Sequence, residues 1–253
     1  MKYVQRLGLV ALAAALSATP ALALADACTA PGVIVVTDAA GDATDSPVTT
    51  ASSPQVINAE DILSIGVAEP ATLSNRVVFT LKVADLSNVP PQERWVVYFT
   101  ITDNSGTQTE WYVAMSTANA TQTDEATPTF EYGTTAYNTT GVSIGEFNML
   151  GALDPASNFT ADGTITMVLD TTKVTGLAVG GLLDNIYAKT RRSSPAESMN
   201  IGLTNDSTDP GAYTLAGNGN CKNGKSGLLG LGALPLPALL VLGGLAALRR
   251  RAR

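Results

Sequence analysis

The sequence predicts an all-β protein: a two-sheet antiparallel β-sandwich, jelly-roll-like, flanked by a signal peptide and a C-terminal hydrophobic helix. Three observations predict it. Short runs of alternating apolar and polar residues recur through residues 26–221, Asp, Asn and Gly cluster between them, and no long stretch of that region has a period of 3.6. Regular short strands with few helices suit two packed sheets.

The runs follow in order. The first is Val33-Ile34-Val35-Val36-Thr37. In 61–68, alternation puts Leu63, Ile65 and Val67 on one face. In 76–83, Val77, Phe79, Leu81 and Val83 point inward together. The run 94–102 aligns Trp95, Val97, Phe99 and Ile101, and 110–116 aligns Trp111, Val113 and Met115. Runs at 129–132, 144–150, 164–170, 185–191 and 213–215 complete the set. Turn chemistry separates them at Asp38-Ala39-Ala40-Gly41-Asp42, Asp103-Asn104-Ser105-Gly106 and Asp162-Gly163. The glycine-rich stretch 172–183 has room for a helical turn at most. Residues 44–59 and 118–128 read as polar loops.

The two ends read as targeting. Lys2 and Arg6 precede an apolar run, 7–16, and Ala23-Leu24-Ala25 offers a small-x-small cleavage site. Residues 1–25 are therefore expected to be a cleaved signal peptide. Cys28 raises a lipoprotein alternative, but Asp26 fits a lipidation site poorly. Residues 222–253 form a tail, hydrophobic over 228–248 and closed by Arg249, Arg250, Arg251 and Arg253. As one helix the hydrophobic part reaches about 31 Å, roughly a hydrocarbon core. Pro235 and Pro237 argue for a break, with the cleaner helix starting at Leu236. The arginines belong on the cytoplasmic side, which leaves residues 26–221 outside the inner membrane.

Between the ends lies enough chain for one domain. All 22 acidic residues fall within 26–221 against seven of the 15 basic ones, a net charge of −15. Such a domain is not expected to bind nucleic acid or an anionic lipid surface. Histidine is absent, which excludes His-based triads, imidazole zinc sites and haem ligation through histidine. Any metal site must use oxygen ligands, which points to calcium. The only two cysteines, Cys28 and Cys221, bracket the domain, and in an oxidising compartment they are expected to pair.

Four groups of side chains are candidate sites. Asp38, Asp42 and Asp45 surround Gly41, and Asp61 can join them from the next strand. Clustered carboxylates on a glycine turn can wrap calcium; the competing reading is an Asp-rich turn bonded to its own backbone. Trp95 and Tyr98 point to opposite faces by alternation, as do Trp111 and Tyr112. The tryptophans are expected in the core, which leaves Tyr98 and Tyr112 as the more exposed pair and a ligand platform. Glu110, Glu131 and Glu146 are the available acid–base groups, but their spacing selects no catalytic pair. No Gly-x-Ser-x-Gly elbow occurs. Arg191-Arg192 is the domain's basic doublet, suited to an acidic polysaccharide or to a solvated edge strand.

Two family resemblances add to this. The segment Val36-Thr37-Asp38-Ala39-Ala40-Gly41-Asp42 with Asp61-Ile62, the strands around 78–83 and 95–101, and Asp162-Gly163 with Leu169-Asp170 before Gly176, Gly180 and Gly181 resemble the DOMON-like superfamily, which includes family 9 carbohydrate-binding modules. That resemblance implies a jelly-roll sandwich that binds sugars or other ligands, in some members with calcium. In the tail, Leu234-Pro235-Leu236-Pro237-Ala238 with the short helix and terminal arginines resembles the VPLPA variant of PEP-CTERM sorting signals, with Leu234 in place of Val. It implies processing by an exosortase-type membrane enzyme. A glycine-rich tail class processed by rhomboid-type proteases is the competitor, since Gly224 and Gly227 precede the helix. The expected function is that of an exported, non-catalytic envelope or matrix protein, held in the inner membrane by its tail until a sorting protease acts. The alternatives are a polysaccharide-binding module and a carboxylate-dependent glycoside hydrolase.

Overall fold

The computed structural model describes residues 27–43, 57–117, 128–137, 143–192 and 203–221. The expected signal peptide, the tail with its motif at 234–238, and Asp45 lie outside the described residues. The strands are β1 Val33–Thr37, β2 Ile62–Ala68, β3 Arg76–Val83, β4 Glu93–Thr102, β5 Gln108–Ser116 and β6 Thr129–Tyr137. They continue with β7 Ser143–Ala152, β8 Asn158–Phe159, β9 Thr164–Asp170, β10 Leu182–Arg192, β11 Leu203–Ser207 and β12 Gly211–Thr214. Among the described residues helix is confined to a 3₁₀ turn at Thr171–Lys173, capped by the Asp170 carboxylate, and a single turn, α1, at Asn218–Cys221. Among the described residues no helix is long and apolar enough to cross a membrane.

The strands form two antiparallel sheets. The smaller runs β1-β2-β3-β9-β8; the larger runs β11-β10-β4-β5-β6-β7, with β12 also pairing β10. Their apolar faces share one core. Ile65, Val67, Val77, Phe79, Leu81, Ile165, Met167 and Leu169 come from the small sheet, and Trp95, Val97, Phe99, Ile101, Trp111, Val113 and Met115 from the large one. Phe79 and Phe99 stack across the two sheets with centroids 5.1 Å apart. The Trp95 indole N–H donates to the Ala59 carbonyl at 2.6 Å, so its burial leaves no unmet donor.

Alternation gave the right inner face for β3, β4 and β5, and failed at the start of β2. There Ile62, not Leu63, enters the core, while Leu63 is half-buried. The β2–β3 register shifts between Ile62 and Ser64, and one extra residue reverses the faces on either side of it. The Asp162-Gly163 turn behaves as its sequence implies. Gly163 has φ +88°, and a Cβ there would lie 2.2 Å from the Val83 carbonyl oxygen. Arg191 and Arg192 are not on an edge: β10 pairs with β4 on one side and with β11 and β12 on the other.

The expected disulfide joins Cys28 to Cys221, with Cα atoms 5.4 Å apart and a sequence separation of 193. A second tie lies beside it. Glu69, buried at the end of β2, takes the Ala27 carbonyl with its own N–H. Its carboxylate accepts from the Tyr213 hydroxyl and from the Ala216 and Gly217 N–H groups. Asn218 adds bonds to the Pro70 and Arg76 carbonyls. The first and last described segments are thus fastened to the same end of β2 and β3.

Candidate functional site

The acidic cluster is built by three segments distant in sequence. Asp38 follows β1, its N–H bonded to the Leu63 carbonyl. The chain then turns at Gly41, whose φ of +86° favours glycine. Asp61, almost fully buried, accepts the Gly41 N–H with both carboxylate oxygens at 2.9 Å and so fixes the turn. Asp206 arrives from β11 and accepts the Ile62 N–H at 2.7 Å and the Ser207 N–H at 2.6 Å. Carboxylate oxygens of Asp38, Asp42 and Asp206 lie within 4.8 Å of one another.

Electrostatics follow from this crowding. Burial pushes the Asp206 carboxyl up to about 6, its two backbone donors oppose the shift, and the charges of Asp42 and Asp38 add to it. Asp38 is also raised, by burial first and then by Asp42, Asp209 and Asp61. Three acidic groups this close either share protons or surround a hard cation, and oxygen donors of this kind suit calcium. Of the expected ligands, Asp38 and Asp42 meet in the cluster. Asp61 instead holds the turn beneath them, and Asp45 lies outside the described residues. Asp206 was not foreseen. It is 144 residues from the Ile62 N–H it binds, and no local spacing marks it.

The outer face of the large sheet carries the second group. Tyr98 and Tyr112, expected to be the exposed pair, are buried, at 3% and 0% exposure. They form a small apolar cluster with Val96 and Ala114, covered by Phe147 of β7 and Tyr187 of β10. Tyr98 stacks on Tyr187 at 4.7 Å, and Tyr112 meets the Phe147 ring edge-on at 4.8 Å. Burial pushes the Tyr98 hydroxyl up to about 12, against the lowering effect of Arg191. Tyr112 is raised too, by burial and then by the Glu131 charge. Alternation predicts which face a side chain takes, not what lies over it.

Charged groups ring these aromatics. The Arg94 guanidinium lies 4.4 Å from the Phe147 centroid and reaches the Glu131 carboxylate at 3.2 Å. Arg191 lies 5.7 Å from the same ring, and the Lys189 ammonium 5.3 Å from the Tyr187 ring. Glu110 accepts the Tyr187 hydroxyl at 3.0 Å and the Thr135 hydroxyl. Glu110 and Glu131 are therefore each held by neighbours on this face. The Glu146 side chain lies outside the described residues.

Compared with known proteins, the chain matches no family model, no curated protein and no solved structure.

Proposed function

We propose that the chain is an exported, non-catalytic protein of the cell envelope or extracellular matrix. Its domain is a jelly-roll-like β-sandwich resembling the DOMON-like superfamily. Its tail holds it in the inner membrane until an exosortase-type sorting enzyme removes it. The observation that carries this reading is the Cys28–Cys221 disulfide, because such a bond persists in oxidising compartments and is rare in the cytosol. The cationic and apolar start of the sequence and the arginines at its end support the same topology.

Fractionation of native cells with thiol labelling before lysis tests the proposal. The expected outcome is protein in the periplasmic, surface or released fraction with both cysteines refractory to label. Cytosolic protein with two reactive thiols contradicts it.

A second reading, polysaccharide binding, is favoured by the outer face of the large sheet. There aromatic rings and cations sit together on one surface.

A further inference from the structure

The domain has seven basic residues against 22 acidic ones, and it does not spread them evenly. Arg94 and Arg191 are direct cross-strand partners in the β4–β10 ladder. Side chains directly opposite share a face, and Lys189, two residues from Arg191 on β10, shares it as well. Like charges set opposite one another destabilise a sheet. The Lys189 ammonium on the same face is lowered by burial and then by the Arg191 charge, with Glu110 opposing the shift. Two carboxylates stand nearby. Glu131 pairs with Arg94, and Glu110 is bonded to Tyr187 and Thr135. Among the described residues, three cations face two anions here, in a domain of net charge −15.

Arg94 gives a second, independent observation. Its side chain is 9% exposed, and its Nη1 has no hydrogen-bond partner. A buried guanidinium with an unmet donor is costly unless something completes it. Tyr187, Lys189 and Arg191 beside it are half-buried.

We propose that Arg94, Lys189 and Arg191, with the Tyr187 ring, bind a carboxylate-bearing polysaccharide. This rests on the polysaccharide reading above and names its chemistry: a uronate-type sugar, with an apolar ring face and one carboxylate per ring. The ring face stacks on Tyr187 while the carboxylate meets the cations; arginine offers a planar pair of donors for that purpose.

Calorimetric titration of the purified full chain at low ionic strength tests the proposal, using oligogalacturonate, a neutral maltooligosaccharide and a sulfated oligosaccharide of equal length. Oligogalacturonate is expected to bind, more weakly as salt is added, and the neutral sugar not to bind. Lys189→Gln and Arg191→Gln are each expected to weaken binding about tenfold without lowering the melting temperature. Lys173→Gln, on the 3₁₀ turn, is expected to leave binding unchanged. Absence of oligogalacturonate binding overturns the proposal. So does equal binding of the neutral sugar, binding of the sulfated sugar alone, or indifference to both β10 substitutions. None of these outcomes bears on export, which the fractionation experiment tests separately.

Discussion

Asp206 sits 8% exposed between two other carboxylates, and its carboxyl is raised from 3.8 to about 6. The folded chain therefore holds a proton there that the unfolded chain has already lost. The sign is fixed by linkage: stability is highest below the unfolded value and falls as pH rises through about 6. The effect is on the order of 3 kcal/mol. Other carboxyls work in the opposite direction. Asp154 and Asp162 are lowered by hydrogen bonds, so what they contribute is present at neutral pH and lost in acid. Comparison with Asp206→Asn isolates the cluster. In metal-free buffer the variant is expected to melt higher than the parent at pH 7 and to lose the advantage near pH 4. Millimolar calcium is expected to raise the parent's melting temperature at pH 7 and to leave the variant unmoved. A parent indifferent to calcium ends the cation reading, and identical pH profiles end the account of the shared proton.

Individual strands show which parts of the fold were legible in sequence. Trp95 and Trp111 lie in the core, as alternation requires, because β4 and β5 pair without a register shift. Ile62 replaces Leu63 because the irregularity in β2 is invisible to a period-two pattern. Tyr98 and Tyr112 were assigned correctly to the outer face but wrongly to solvent. What covers them comes from β7 and β10, far along the chain. The acidic cluster was half legible for the same reason. Asp38 and Asp42 are local to one turn, whereas Asp206 reaches it only through the pairing of β11 with β10. The joint between the two sheets is the Phe79–Phe99 stack. Phe99→Ala is expected to lower stability by about 3–5 kcal/mol, seen as a lower denaturant midpoint with an unchanged slope. A loss below about 1 kcal/mol would mean that the sheets do not depend on that contact.

At the scale of the molecule, closure and charge define its character. The disulfide spans 193 residues, and the chain-entropy model gives a loop of that length roughly 4–5 kcal/mol. The Glu69 carboxylate ties the same region a second time, with three donors drawn from residues 213–217. A net charge of −15 sets the cationic residues of β4 and β10 apart from the rest of the domain. Acidity, missing histidine and the count of two cysteines were all readable in composition, since none depends on how the chain folds. The central claim is export of a disulfide-closed domain. It is tested most directly by the intact, non-reduced mass of the protein recovered from its native host. The predicted result is a chain that begins at Asp26, carries one Cys28–Cys221 bond and lacks Arg253. A chain that retains Met1, with both thiols free, would contradict the account.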